Sequence, residues 1–528
     1  MGGGLLQLVA YGAQDAYITG NPHITFWKVL YKRHTNFAME AFRVNFTGAP
    51  QYGQRVVAVI NRNADLMYKT YLEVQLPDTV TAADGAGVKW TAAYERRLGY
   101  QLLKKIEVEI GGQIIDTHYG EWLFLWENLT SNFDNSVKLD SMTGGYLGGT
   151  ETSAVSCGGR PAVLYIPLQF WFCRNPGLAL PLIALQYHEV RINVTLSAAT
   201  DLVSGTPGSA GTVSSQASKL PQLKDMSLYV DYVYLDVDER RRFAQQSHEY
   251  LIDQLQFGLQ QTLTTSSARI DLTLNHPVKE LVWVFQDARK TDCGSELTKN
   301  MGFTQPFSYD DIVNRARLQI NGQDRFDERY GDYFWKVQPY QHHTGGAFWP
   351  MRAQVTAPTA VTVTYTGCSV TGDVLTVGTY SSGGGATIPI AEGSLVTTSA
   401  GTTFAPGTII SAFGSGNGAG GGTTYQLSEP AIADGTGLSV IFIIPNVNYA
   451  PHSNPINVYS FALQPEEHQP SGTCNFSRID TTTLVFDSVT TTGIAKPTKS
   501  TPFNFRMYAV NYNIFRVMSG MGGLAYSN

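Results

Sequence analysis

The stretch GGQIIDTHYGEWLF (111–124) has a near copy, NGQDRFDERYGDYF (321–334), 210 positions further along the chain. Both contain Gly-Gln, an aspartate, and then Tyr-Gly followed by an acidic and an aromatic residue. Each follows a segment in which apolar and polar residues alternate, IEVEI (106–110) and RLQI (317–320), which is typical of a half-buried strand. Gly-Gly and Asn-Gly favour two-residue hairpin turns, because both central positions need positive φ. The repeat therefore predicts the same β-hairpin in two places.

We interpret the shared positions as a structural turn. An aspartate there can accept backbone N–H bonds, and the tyrosine is expected to pack beneath it. Two carboxylate pairs, Asp116 with Glu121 and Asp327 with Asp332, resemble those of glycoside hydrolases. A duplication, however, preserves turns more often than it preserves two active sites. The positions of the repeated turn are Gly112, Gln113, Asp116, Tyr119, Gly322, Gln323, Asp327 and Tyr330.

The segments after the two turns come in the same order. YIPL (165–168) and PGLALPLIALQYHEVRINVTL (176–196) follow the first turn. YSFAL (459–463) and QPSGTCNFSRIDTTTLVF (469–486) follow the second. Strands at this spacing, separated by Gly, Pro and Asn loops, favour sandwiches over a parallel α/β sheet. The sequence therefore predicts an all-β protein made of two tandem eight-stranded jelly-roll sandwiches, with domains at residues 1–238 and 239–528.

A long insertion separates the landmarks of the second half. Gly112 and Tyr165 are 53 residues apart, whereas Gly322 and Tyr459 are 137 residues apart. The surplus falls at 354–443, a segment nearly without charge and rich in Gly, Thr, Ser and Val. A disordered segment would carry more charge and fewer β-branched residues. We therefore expect a small Gly/Thr-rich β-module at 354–443, inserted in a loop of the second sandwich.

Helical periodicity is scarce. The best candidate for a helix is FAQQSHEYLIDQL (243–255), and it is expected to hold short helical turns at most.

Composition limits the function. The chain has 528 residues, 43% of them hydrophobic and 15% charged, with a net charge of −6. This charge gives no electrostatic reason to expect direct nucleic-acid binding. The odd count of 5 cysteines excludes a complete disulfide framework and favours a reducing compartment. The N-terminus does not read as a signal peptide, and no long apolar run predicts a membrane span. We therefore expect a soluble protein that is made in the cytoplasm.

Several short motifs resemble dinucleotide-binding or metal-binding motifs, but their neighbouring residues do not fit such sites. The glycines at 416–421 match GxGxxG, but Thr-Thr-Tyr leads on into another strand, so no dinucleotide site is expected. The pairs that start at His188 and His248 lack the second histidine of a zinc-protease motif. His342 and His343, with His452 beyond the insertion, are more simply solvated loop residues than metal ligands. The sequence predicts no catalytic residue, no cofactor site and no metal site.

Several long segments resemble the major capsid proteins of nucleocytoplasmic large DNA viruses. The likeness is greatest to those of large algal viruses of the chlorovirus or phycodnavirus kind. It is collinear from Leu8 to the C-terminus except at about 200–222 and at the insertion. The segments that carry it are LVAYGAQDAYITGNPHITFWKVLYKRHTNFA (8–38), PGLALPLIALQYHEV (176–190), RFAQQSHEYLIDQLQF (242–257), LQINGQDRF (318–326), YFWKVQPYQ (333–341), YSFALQPEEHQPSGTCNFSRID (459–480) and YNIFRVMSGMGGLAYSN (512–528).

The resemblance implies a double jelly-roll and a structural function. Three chains would form a pseudo-hexagonal trimeric capsomer, and capsomers would tile an icosahedral shell over an internal membrane. The N-terminal segment with Trp27 and Lys28 would lie toward the base, near minor capsid proteins and that membrane. Outer loops, including the inserted module, would face the host or a fibre and could carry glycans.

Two other functions remain open at this stage. A capsid paralogue used as a minor or vertex component would have much the same sequence features. A carbohydrate-binding β-sandwich protein would also be rich in aromatic residues, but the odd cysteine count and the N-terminus count against secretion.

Overall fold

The computed structural model of the chain describes residues 3–22, 31–76, 92–94, 97–144, 156–157, 160–161, 163–198, 201–205, 222–265, 267–288, 307, 309–345, 361–371, 374–377, 379–383, 395–398, 410–413, 424–427, 435–444, 455–488 and 502–526.

The first half folds into two antiparallel sheets that face each other. In one sheet β1, β13 and β3 are neighbours, and β9 and β10 pair with successive parts of β3. In the other sheet the order is β2-β11-β5-β6. The strands are β1 (Phe37–Asn45), β2 (Arg55–Ile60), β3 (Leu66–Gln75), β4 (Ala92–Tyr94), β5 (Leu103–Ile110), β6 (Gln113–His118), β7 (Ser156–Cys157), β8 (Arg160–Pro161), β9 (Val163–Pro167), β10 (Leu180–Pro181), β11 (Val190–Leu196), β12 (Val203–Gly205) and β13 (Asp225–Leu235).

The second half repeats this topology. One sheet has the order β14-β30-β16, with β27 and β28 on successive parts of β16, and the other has the order β15-β29-β17-β18. The strands are β14 (His248–Leu263), β15 (Ser267–Asp271), β16 (Pro277–Asp287), β17 (Val313–Ile320), β18 (Gln323–Asp324), β19 (Arg329–Tyr330), β20 (Val361–Thr371), β21 (Val374–Thr376), β22 (Thr379–Gly383), β23 (Leu395–Thr398), β24 (Ile410–Phe413), β25 (Thr424–Leu427), β26 (Gly435–Ile444), β27 (Asn457–Ser460), β28 (Cys474–Asn475), β29 (Thr482–Ser488), β30 (Phe503–Met518) and β31 (Met521–Leu524).

The matching order of eight strand positions in each half confirms the predicted double jelly-roll. The inserted β-module is also confirmed. Strands β20 to β26 form a separate seven-stranded sheet with its own apolar cluster, in which Tyr365, Cys368 and Tyr425 are almost fully buried.

The two repeated hairpin turns have the same backbone form. Gly111 and Gly112 have φ of 60° and 85°, and Asn321 and Gly322 have φ of 49° and 78°. Positive φ at both central positions defines the turn that matches the twist of two paired strands. The next residue along, Gln113 or Gln323, begins the return strand β6 or β18 and is exposed.

Helices occupy the connections between strands. They are α1 (Gly3–Val9), α2 (Ala13–Thr19), α3 (Leu98–Leu102), α4 (Gly120–Thr130), α5 (Phe133–Thr143), α6 (Trp171–Arg174), α7 (Val237–Gln245) and α8 (Gln338–His342), with a π-helical turn at Tyr333–Val337 and 3₁₀ turns at Pro176–Leu178 and Phe476–Arg478. Among these described segments, none is long and apolar enough to cross a membrane.

The segment 243–255, in which short helical turns at most were expected, is helical only at 243–245 and is otherwise mostly strand. Helix α7 ends at Gln245, and from His248 the chain is strand β14. Strand β14 pairs with β30 along nearly its whole length, from His248 with Val517 to Leu263 with Phe503. This long ladder, together with burial on both faces of the sheet, overrides the weak local preference for helix.

Candidate functional site: the buried boundary between the two sandwiches

The β14-β30-β16 sheet is apolar on both faces. Along β16, Leu281, Trp283 and Phe285 belong to the core of the second sandwich. Val282 and Val284, by contrast, belong to the cluster that fills the first sandwich. Successive side chains of a strand point to opposite faces. One face therefore fills its own sandwich, and the other is buried against the first sandwich.

Helix α4 of the first sandwich covers this second face. Trp122 contacts Tyr508 with ring centroids 5.5 Å apart, and Phe124 stacks on Phe307 at 4.7 Å. Helix α4 can start here because Gly120 has no side chain: a Cβ at this position would lie 1.9 Å from the carbonyl oxygen of Tyr100. The contact is an aromatic seam between the two halves of the chain.

Glu121 lies in the middle of this seam. Its carboxylate pairs with Arg506 at 2.8 Å and accepts hydrogen bonds from the hydroxyls of Tyr309 at 3.0 Å and Tyr508 at 2.5 Å. Burial, and then the charge of Glu121, raise the pKa of both tyrosines well above the usual value. Burial alone would lower the pKa of Arg506, but Glu121 more than offsets that effect and raises it. One carboxylate of the first sandwich thus neutralises a buried cation of the second.

Asp116 of the first repeated turn also binds across the boundary. Its Oδ1 accepts hydrogen bonds from the backbone N–H groups of Thr117 at 2.9 Å and Leu255 at 3.1 Å. Its Oδ2 lies 3.1 Å from Nε2 of His118. The side chain of Gln254 donates to the carbonyl oxygen of Ile115. The expected backbone N–H bonds are present, and one of them comes from strand β14 of the other sandwich.

The equivalent positions of the second turn have different surroundings. Tyr119 is half-buried and contacts Phe257 and Tyr508. Asp327 is exposed, and Tyr330 is 63% exposed, beside Arg315. The interpretation that Tyr330 packs beneath its turn is therefore wrong, because none of the described residues of the other sandwich covers it.

A row of buried charges continues along the same boundary. Arg174 lies over the ring of Trp126 at 4.1 Å and lies 3.6 Å from Asp253. Asp253 in turn pairs at 2.9 Å with Lys279, whose side chain is fully buried. Burial lowers the pKa of Arg174, and Asp253 opposes that shift. Lys279 sits where the pairing register of β16 with β30 shifts, since Val278 pairs with Asn511 and Glu280 with Val510. This bulge makes room for an extra side chain at the boundary.

His343 ends the row of charges. Its Nε2 lies 3.1 Å from Glu280 and its Nδ1 lies 3.0 Å from Glu466, and its side chain is fully buried. The expectation of a solvated histidine pair at His342 and His343 is therefore wrong for His343. Its two carboxylate partners, one of them 123 positions away, could not be found from a single sequence.

The arrangement pairs charged groups across the boundary. Asp116 and Glu121 are each engaged by partners from the other sandwich. Within the described parts of the chain, no group of His, Cys, Asp and Glu side chains could hold a metal ion. The glycines at 416–421, together with Trp27, Lys28 and His452, lie outside the described residues.

Two family models match the chain, one in each half. A model for the N-terminus of major capsid proteins matches residues 25–236. The model of the large eukaryotic DNA virus major capsid protein matches residues 239–353 and 445–523. The gap in the second match contains the inserted β-module.

Curated relatives match along the whole chain. The chain is 41% identical to the major capsid protein of Pyramimonas orientalis virus, with 100% of both proteins covered. It is 33% identical to that of Paramecium bursaria Chlorella virus 1, again with 100% of both covered.

Solved capsid structures share the fold. The chain superposes on VP54 of PBCV-1 with a TM-score of 0.62 at 30% identity, covering 96% of this chain and 100% of that one. The Faustovirus major capsid protein gives a TM-score of 0.60 at 11% identity, over 96% and 94% of the two chains, which shows the fold alone. With the two tandem jelly rolls, these matches confirm the resemblance. The chain belongs to the family of large eukaryotic DNA virus major capsid proteins, which are structural components of the virion capsid.

Proposed function

We propose that this capsid protein works as a head-to-tail trimer, in which each boundary within a chain is repeated between chains. The proposal rests on a difference between two equivalent sheet faces, only one of which is covered by a helix. The outer face of β14-β30-β16 is covered by helix α4, whereas the outer face of β1-β13-β3 has no such cover in the described chain.

The uncovered face is aromatic. Tyr71 and Tyr229 stack with ring centroids 5.1 Å apart and planes inclined by 3°, and Tyr71 also contacts Tyr165 at 6.2 Å. Leu72 and Val74, which alternate with Tyr71 along β3, fill the first sandwich, so the tyrosines lie on its outside. Partial burial raises the pKa of Asp231 on the same face. A tyrosine-rich, weakly charged surface is suited to a protein interface.

The second sandwich has its own copy of the segment with which the first sandwich covers β14-β30-β16. We call each of these two equivalent segments a corner. Tyr330, Gly331 and Asp332 occupy the positions of Tyr119, Gly120 and Glu121, and the π-helical turn and α8 follow as α4 does. Tyr330 is 63% exposed and Tyr340 is 87% exposed. This corner of one chain would cover the tyrosine face of the next chain.

Such a contact joins two different surfaces, so it must close into a ring or grow without limit. Each chain contributes two similar sandwiches, and alternate contacts lie within and between chains. Three chains would place six sandwiches around one axis in a pseudo-hexagonal capsomer. These capsomers would tile an icosahedral shell through contacts with their neighbours.

The remaining partners follow from the exposed segments. Helices α1 and α2 expose apolar side chains, including Leu8 at 79% and Ile18 at 80%, which suits contact with minor capsid proteins or an internal membrane at the base. The inserted module at 354–443 would project outward toward host or fibre, and outer loops could carry glycans. The domains would be residues 1–238 and 239–528.

Assembly in the host cytoplasm is supported by the thiols. Cys173 and Cys474 carry free thiols, and Cys173 is buried against Thr70 at 3.3 Å. Free thiols are ordinary in a reducing compartment.

Light scattering on a sizing column, with negative-stain imaging, tests the trimer. We expect particles of three chains with a hexagonal outline. Tyr229→Arg on the face and Tyr340→Arg on the corner should each give folded monomers, because each places a charge in the contact between chains. Val374→Arg, at a 41% exposed position in the inserted sheet, is the matched control and should remain trimeric. A wild-type chain that stays monomeric, or trimers that survive both interface substitutions, would contradict the proposed contact.

A further inference from the structure

Residues 343–345, here called the neck, follow helix α8, which ends at His342. They are the last described residues of the second sandwich before the inserted module, whose first described strand, β20, begins at Val361.

The neck is fixed to the first sandwich at the end of helix α4. Gly345 N–H donates to the carbonyl oxygen of Leu129 at 2.8 Å, and the hydroxyl oxygen of Thr344 lies 2.9 Å from the carbonyl oxygen of Thr130. The last carbonyl groups of a helix have no partner within the helix, so the bond from Gly345 satisfies one of those of α4. A Cβ at Gly345 would lie 2.6 Å from the Leu129 oxygen, so the approach requires glycine.

The neck is fixed to the second sandwich by charge. Glu466, in the loop after β27, accepts from Thr344 N at 2.9 Å and Thr344 Oγ1 at 2.6 Å, and it also contacts His343. Glu280 of β16 faces the other nitrogen of the imidazole and is itself completely buried. Strand β16 pairs with β27, Glu280 opposite Ser460. One imidazole therefore joins the neck to two elements of the second sandwich, β16 and the loop after β27.

We propose that Glu280, His343 and Glu466 form an electrostatic latch, in which the protonated imidazole holds the neck to the second sandwich, and so against the end of α4, and loss of that proton releases it. With His343 protonated, one positive charge lies between two carboxylates. With His343 neutral, the fully buried carboxylate of Glu280 and the partly buried one of Glu466 lose the charge between them, and the nearest cations on the Glu280 side are Lys279 and Arg174, which Asp253 already engages. Burying such uncompensated charge favours opening of the neck.

The direction of the pH effect follows from the histidine. Burial alone would lower the pKa of His343, but Glu280 and Glu466 more than offset that effect and raise it to about 9. A group whose pKa is raised on folding stabilises the closed state fully below its ordinary pKa of about 6.5. This stabilisation is lost as the pH rises through 9. The latch is therefore closed at neutral pH and opens in alkali.

Hydrogen exchange on the full chain, measured at several values of pH and divided by the intrinsic chemical rate, tests the latch. We expect the corrected exchange of the amides of Thr344 and Gly345 to rise about tenfold between pH 8 and pH 10. Amides in the β16–β30 ladder serve as the internal reference and should keep their protection. A flat corrected profile at the neck in the wild-type chain would overturn the proposal.

Three variants separate a charge latch from simple packing. His343→Gln should give fast exchange at the neck at every pH, without a transition. Glu466→Gln removes one of the two carboxylates, so the transition should move to lower pH. His342→Gln, next to the latch but exposed and bonded only to the carbonyl oxygen of Leu463 among the described contacts, should keep the wild-type profile. An unchanged transition in Glu466→Gln, or a wild-type transition in His343→Gln, would also overturn it.

Discussion

In the first sandwich, Glu121 has a side chain that is only 14% exposed and lies among Arg506, Tyr309 and Tyr508. In the second, its equivalent Asp332 lies at the surface, where it pairs with Lys336 at 2.7 Å and has a side chain that is 57% exposed. The two corners share a tyrosine, a glycine and an acid, yet one is core and the other is surface. A duplicated fold thus keeps the backbone of its corner while the neighbour decides what each side chain does.

The largest expected effect comes from removing the charge at the buried corner. Glu121→Gln leaves the guanidinium of Arg506 buried without its carboxylate, which should lower the free energy of unfolding by about 3–5 kcal/mol. Denaturant unfolding followed by tryptophan fluorescence measures this. The matched control, Asp332→Asn, breaks only an exposed pair and should change stability by less than about 1 kcal/mol. Equal losses in the two variants would show that the surroundings do not distinguish the corners.

The glycines of the two corners should behave alike. A Cβ at Gly120 would lie 1.9 Å from the carbonyl oxygen of Tyr100, and one at Gly331 would lie 2.2 Å from that of Val313. Gly120→Ala and Gly331→Ala should therefore each cost about 1–3 kcal/mol, because a backbone atom must shift in both. The same unfolding measurement applies. A large loss at one site only would mean that the corner itself, and not merely its cover, differs between the sandwiches.

The smallest effect is expected at the hairpin turns. Gly112 and Gly322 have open space around a Cβ but φ of +85° and +78°, so an added side chain meets backbone strain alone. Gly112→Ala and Gly322→Ala should each cost about 1–2 kcal/mol. Thermal unfolding would detect the shift. A neutral result at either turn would remove the argument that positive φ explains why glycine stands at this position in both copies of the repeat.

Much of the fold follows from local sequence. The Gly-Gly and Asn-Gly turns indicate their hairpins because few other residues adopt positive φ at both positions. The composition of segment 354–443, nearly without charge and rich in Gly, Thr, Ser and Val, differs from that of both sandwiches and therefore indicates a separate sheet. Helix α4 was not predicted, since its residues Trp122 to Trp126 are all buried and show no apolar stripe of helical period.

The site was harder to predict than the fold. Asp116 belongs to a visible repeat, but its bond to the backbone of Leu255 joins two sandwiches. Glu121 and Arg506 are far apart in the chain, and so are His343 and Glu466. Contacts of this kind depend on how finished sandwiches pack, and periodicity in one sequence carries no signal of that packing.

The pairing of β14 with β30 also sets the order in which the chain can fold during synthesis. Residues 248–263 pair with residues 503–518, so this ladder must wait until almost the whole chain has left the ribosome. The first sandwich can close once β13 is made, and the inserted sheet can form from nearby strands. Until β30 arrives, Trp122 and Phe124 of α4 have no sheet to cover. Late pairing of distant strands beside exposed aromatic rings makes the nascent chain prone to aggregation, and a folding helper would act in this interval.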